Sequence, residues 1–74
     1  MSRGFMEIFA QRLKELRKEK KIKQIDMAKF LGVSLRSYQY YESAEHYPDL
    51  PGVVKLADYF DVSMDYLTGR TDQR

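Results

Sequence analysis

Between residues 24 and 43 two short helical patterns are separated by only three residues, Gly32-Val33-Ser34, and this spacing constrains the fold more than any other feature of the chain. In the first pattern Met27, Ala28 and Leu31 fall on one face, and Gly32 supplies the left-handed residue that ends a helix without a Cβ penalty. Ser34 then offers a hydroxyl to the free N–H groups of a helix starting at Leu35, while Val33 can pack against Tyr38 as a hydrophobic staple. The expectation is a helix over residues 24–31, a tight turn, and a second helix running from Leu35 to about Ala44.

The flanking segments read as helices too. Phe5, Phe9, Leu13 and Leu16 recur at helical spacing, predicting a first helix that ends near Glu19. Lys18, Lys20, Lys21 and Lys23 then place cations at the negative end of its dipole. After a polar loop, Asp49 can cap a fourth helix carrying Leu50, Val53, Val54, Leu56, Ala57 and Phe60, with Pro51 tolerable in its first turn and Asp61 at its end. Val62-Ser63 repeats the staple and cap, with Leu67 as partner, and opens a fifth short helix that Gly69 closes. No stretch alternates apolar and polar residues for long enough to be a strand. The reading is all-α: a compact five-helix bundle over residues 5–69, a flexible N-terminal arm over 1–4, and a frayed tail over 70–74. Its expected core is Phe9, Leu13, Leu16, Met27, Ala28, Leu31, Val33, Tyr38, Tyr41, Val53, Leu56, Ala57, Phe60 and Leu67.

Composition narrows the function classes. With 74 residues there is material for one core only. The absence of cysteine removes disulfides, thiolate metal sites and thiol nucleophiles, and suits a reducing cytoplasm. No apolar run approaches the roughly 18 residues of a membrane helix, and no signal-peptide layout opens the chain. His46 is the lone histidine and has neither a nucleophile signature nor a spaced carboxylate pair beside it, so no enzymatic, metal or cofactor site is expected. Charge is unevenly distributed: residues 1–36 hold ten Lys/Arg against four Asp/Glu, and residues 37–74 hold three against seven, within a net charge of +2. An electrically two-sided molecule suits a polyanionic partner, although a solvated helix face with i, i+4 pairing accounts for part of the pattern.

The helix over residues 35–43 carries the functional signal. At 100° per residue Tyr38 and Tyr41 share one side, while Arg36, Gln39, Tyr40 and Ser43 cluster on the other. Arg can donate two bonds to guanine, Gln can pair bidentately with adenine, Ser can donate or accept, and Tyr can offer its hydroxyl. A helix, a tight turn and a second helix with such a face form a helix-turn-helix pair able to enter a DNA major groove. A stacking surface for single-stranded bases built from Tyr38, Tyr40, Tyr41 and Tyr47 is the weaker alternative, because two of the four rings are needed for the core.

Residues 9–69 resemble the lambda-repressor/Cro-like (Xre-type) family of bacterial and phage regulators. The resemblance rests on Phe9-Ala10-Gln11-Arg12-Leu13-Lys14-Glu15-Leu16-Arg17, Gln24, Met27-Ala28, Leu31-Gly32-Val33-Ser34, Tyr41-Glu42, Pro48, Leu56-Ala57 and Val62-Ser63-Met64-Asp65-Tyr66-Leu67. It implies a DNA-binding transcriptional regulator, a repressor in many relatives, with Leu35, Arg36, Ser37 and Tyr40 at bases beside Gln39. It also implies Gln24 at a phosphate or base edge, and a salt bridge between Arg17 and Glu42. Lys23, Gln24, Ser34 and Ser43 are the expected backbone-contacting or positioning residues. The expected partners are double-stranded DNA and, because one reading helix covers only a few base pairs and two-fold proteins match two-fold sites, a second copy of the chain on an inverted-repeat operator, with no membrane, cofactor or small-molecule substrate. Helix five and the adjoining end of helix four, through Tyr59, Met64 and Tyr66, are the expected dimer surface. Four residues depart from the family pattern at helix ends: Lys23 stands for the usual Ser/Thr cap, and Lys21, Ala44 and Asp61 stand for glycines. Glu45-His46-Tyr47 with Asp49 replaces a loop that is often basic, which keeps open a scaffold acting mainly through protein contacts, such as an antitoxin-like or co-regulator subunit.

Overall fold

Five helices follow one another in the computed structural model, which describes residues 4–74 apart from the side chains of Phe5 and Met6: α1 (Phe5–Glu19), α2 (Gln24–Leu31), α3 (Leu35–Glu42), α4 (Leu50–Phe60) and α5 (Met64–Leu67). No strand occurs among the described residues. The expected arm over residues 1–4 lies outside them except for Gly4, as does the side chain of Phe5.

All five helices stop in the same way. A residue with positive φ follows each one, and the next N–H reaches back to the carbonyl five residues earlier: Ile22 to Arg17 (3.2 Å), Val33 to Ala28 (3.0 Å), Glu45 to Tyr40 (3.1 Å), Val62 to Ala57 (3.0 Å) and Arg70 to Asp65 (2.8 Å). The left-handed positions are Lys21 (57°), Gly32 (72°), Ala44 (67°), Asp61 (56°) and Gly69 (84°). This backbone closure satisfies carbonyls that a helix end otherwise leaves free. It also ends α3 at Glu42, two residues short of the expected Ala44, because Ser43 is already the C-cap. Ala44 adopts a conformation that an L side chain with a Cβ resists, so Ala44→Gly should stabilise the domain by about 1 kcal/mol in urea denaturation.

The starts of α3, α4 and α5 are capped from side chains. Ser34 Oγ accepts from Ser37 N–H at 3.0 Å, Asp49 Oδ1 from Gly52 N–H at 2.9 Å, and Ser63 Oγ from Tyr66 N–H at 2.9 Å. The helices enclose a core of Phe9, Leu13, Leu16, Met27, Ala28, Tyr38, Val53, Leu56, Ala57, Phe60 and Leu67. Leu31, Val33 and Tyr41, expected inside, are only partly buried and pack at its rim.

Two expectations for the C-terminal third are corrected. Tyr66 is not a surface residue: it is 7 % exposed, because the Arg12 guanidinium lies over its ring at 4.2 Å and donates to its carbonyl oxygen. Met64 is half-buried against the core, so of the three expected dimer residues only Tyr59 stays exposed, at 42 %, with its ring 4.8 Å from Phe30. Residues 70–74 are not frayed either. Arg12 donates to the Thr71 carbonyl at 2.7 Å and to Asp72 at 2.8 Å, Ser63 N–H donates to the Arg74 carbonyl at 2.8 Å, and the Arg74 guanidinium grips Glu19, with one bond at 2.9 Å. The tail is a strap that ties α5 to α1.

Candidate nucleic-acid interface

The placement of α3 begins with its inward side. Tyr38 is completely buried, and its ring meets Tyr41 edge-on at 6.1 Å between centroids. Four residues further on, Glu42 turns inward rather than out. Its carboxylate takes two bonds from Arg17 of α1, from Nε at 2.6 Å and from Nη2 at 3.1 Å, plus one from the Tyr38 hydroxyl and one from Gln24 Nε2 at 3.1 Å. Arg17 uses its remaining reach on the Ile22 carbonyl at 2.8 Å. The paired side chains are only 12 % and 3 % exposed, and no buried side-chain polar atom among the described residues lacks a partner.

Burial pushes the Glu42 carboxyl up, but the hydrogen bonds from Arg17, Tyr38 and Gln24 outweigh it and hold the group below the usual carboxylate value. The Arg17 guanidinium is held above its ordinary value by the Glu42 hydrogen bond, against the opposing effect of burial. Burial, reinforced by the neighbouring carboxylate, raises the Tyr38 phenol. Glu42 is therefore a carboxylate and Tyr38 a neutral donor at neutral pH, and the pair fixes the angle between α1 and α3. A buried pair returns much of its Coulomb gain as desolvation, so its contribution is orientation more than net stability.

The opposite side of α3 is open. Leu35, Arg36 and Gln39 are exposed, and Ser37 and Tyr40 partly so. Arg36 Nε donates to the Tyr40 hydroxyl at 3.0 Å, and the guanidinium sits 5.9 Å from that ring. The Tyr40 ring also meets that of His46, at 5.1 Å between centroids. Gln39 Nε2 donates to Gln24 Oε1 at 3.2 Å. A helix with one side locked and the other carrying guanidinium, amide and phenol groups can meet base edges without disturbing the core.

A family profile described as helix-turn-helix matches residues 13–67. The chain belongs to that family. The likeness to lambda-repressor/Cro-like proteins is thereby borne out, and with it the helix-turn-helix fold class. Curated relatives include the HTH-type transcriptional regulator YobD of Bacillus subtilis, 40 % identical over 65 residues, which are 88 % of this chain and 58 % of YobD. The cryptic phage CTXphi transcriptional repressor RstR of Vibrio cholerae is 43 % identical over 60 residues, 81 % of this chain and 54 % of RstR. The chain thus spans a little over half the length of these relatives. Among solved structures, a transcriptional regulator from Listeria innocua superposes with a TM-score of 0.81 at 38 % identity, covering 89 % of this chain and 62 % of that one. The restriction-modification controller protein C.AhdI from Aeromonas hydrophila gives 0.72 at 29 % identity, covering 84 % and 94 %.

Within this helix-turn-helix unit the remaining expected residues have definite places. Lys23 is the exposed N-cap of α2, without a side-chain capping bond. Ser34 caps α3, and its Oγ also donates to Ser37 Oγ at 3.0 Å. Ser43, at the far end of α3, donates to the Tyr40 carbonyl at 3.3 Å and is linked to Glu45 at 2.9 Å, so part of its hydrogen-bonding capacity is already engaged. Sequence reasoning missed two links in the helix-turn-helix: the Tyr38 hydroxyl on Glu42 and the amide chain from Glu42 through Gln24 to Gln39. The first had a visible signal, since residues four apart on one helix face each other. The second joins different helices and had none.

Proposed function

We propose that this chain is a sequence-specific, double-stranded DNA-binding transcriptional regulator that reads the major groove with α3 and acts as a cytoplasmic repressor. The observation that carries the reading is the two-sided α3, held on α1 by Arg17–Glu42 while Arg36 and Gln39 stand exposed. Leu35, Arg36, Ser37, Gln39 and Tyr40 are the proposed base-reading set, with Leu35 meeting a thymine methyl. Lys23, Gln24, Ser34 and Ser43 are the proposed backbone-contacting or positioning residues. The names of YobD and RstR support a regulator, and that of RstR a repressor. One reading helix of eight residues covers only a few base pairs, so the reading includes a homodimer on an inverted repeat.

Selection of bound duplexes from a random pool, followed by affinity measurements on the selected site, tests this. Arg36→Ala and Gln39→Ala should each cost about 1–3 kcal/mol on that site and much less on unrelated DNA. Lys23→Ala should weaken binding to all duplexes alike and lower the salt slope by about one unit. A protein whose Arg36→Ala and Gln39→Ala variants bind every duplex as before, yet lose a protein partner, is a scaffold instead. Sedimentation as a monomer with and without DNA would refute the dimer.

A further inference from the structure

Gln24 lies between the buried ion pair and the exposed face of α3, and the chemistry of that pair decides which way its amide points. An ionised carboxylate only accepts hydrogen bonds. Whatever Gln24 turns toward Glu42 must therefore be its NH2 group, and Nε2 does stand 3.1 Å from Glu42 Oε1. The carbonyl oxygen of Gln24 then faces away from Glu42, and there it accepts from Gln39 Nε2 at 3.2 Å. Gln39 in turn has no choice of orientation, because an oxygen presented to Gln24 Oε1 would set two acceptors against each other. One of its two amide protons is committed, leaving one N–H and the carbonyl oxygen for an outside ligand.

We infer that Glu42 and Gln24 are positioning residues that polarise Gln39 and make it select adenine in the major groove. The inference rests on the DNA-reading function proposed above. Adenine alone among the four bases presents a donor beside an acceptor, N6–H and N7, which complements a fixed oxygen beside a fixed N–H. Guanine offers two acceptors and thymine O4 another, each of which would oppose the Gln39 oxygen, and cytosine offers only its N4 donor. With its orientation released, Gln39 could turn both amide protons outward and accept guanine or thymine. The base preference at this point of the interface is thus set by a charge buried between α1 and α3, through two amides.

Gln24→Met tests the relay. It keeps a flexible side chain of similar length, removes both amide bonds, and leaves Glu42 its bonds from Arg17 and Tyr38. Affinities of wild type, Gln24→Met and Gln39→Ala are compared on the selected site with all four bases placed in turn at each position. The expected result is one position where wild type prefers adenine, where Gln39→Ala abolishes the preference, and where Gln24→Met reduces it by about fivefold or more, read as a ratio between duplexes so that any uniform loss of a Gln24 backbone contact cancels. In the free protein, the side-chain amide proton resonances of Gln39 should move toward those of a solvated glutamine in Gln24→Met. Adenine preference surviving intact in Gln24→Met, with or without uniform weakening on every duplex, a Gln39-dependent preference for another base, or Gln39 amide resonances that do not respond would each overturn the inference alone. A wild-type protein that selects no duplex overturns the DNA reading, and this inference with it.

Discussion

Replacing Arg17 by methionine is expected to cost about 3–5 kcal/mol of stability, because it leaves an uncompensated carboxylate in a nearly dry site. Glu42 is 3 % exposed, and the Tyr38 hydroxyl and Gln24 amide cannot replace the two guanidinium bonds. A single core of this size rarely supplies more than about 3–5 kcal/mol in total, so the variant should be largely unfolded at physiological temperature. The triple change Arg17→Met, Tyr38→Phe, Glu42→Leu removes the charges and the hydroxyl together, and should recover most of the loss, since a buried ion pair is often replaceable by apolar groups of similar volume. Urea denaturation of the single and triple variants checks both halves of the expectation. A single variant within about 1 kcal/mol of wild type would mean that the pair is open in solution.

Leu13→Ala is the second large effect, at about 2–5 kcal/mol. Leu13 has no exposed surface and lies in the cluster that α1 shares with the other helices. Removing its branched end leaves a cavity that helices held by carbonyl closures at their C-terminal ends cannot easily fill. Leu31→Ala removes the same atoms from a position at the rim, where solvent already reaches, so its cost should fall below that range. Thermal melts of the two variants side by side separate the contributions. Equal losses would mean that the rim is as dry as the centre.

The comparison of Leu13 with Leu31 also marks where sequence reasoning stops. Periodicity places both on inward faces, but how far inward depends on what closes over them, and that is decided by distant segments. Local devices were legible: the left-handed Gly32 and the caps at Ser34, Asp49 and Ser63 occur as the residues themselves suggest, whereas the strained Lys21, Ala44 and Asp61 were marked only by the family resemblance, whose pattern has glycine there. Each depends on atoms within a few residues of one another. Tyr66 was misread because a tyrosine on a short helix looks like surface until Arg12, 54 positions away, is laid over it. The same guanidinium turns residues 70–74 from a tail into a strap. On α3 the division into a buried and an exposed polar side was legible from angular spacing alone, whereas the amide chain from Gln24 to Gln39 depends on how two helices cross.

The same helix carries two kinds of position, and they differ in how freely they can diverge. Leu35 and Arg36 face outward, and among the described residues Arg36 bonds across the surface to Tyr40 rather than to the core. Substitutions at such positions leave folding nearly untouched, so under the proposed DNA-reading function lineages built on this scaffold can acquire new DNA addresses there one change at a time. Gln39 is on the same face, yet it is wired through Gln24 to the charge that holds α3 in place. A duplicated copy of this protein would therefore drift apart from its parent first at Leu35 and Arg36, and would keep Gln24, Gln39 and Glu42 together as one inherited block.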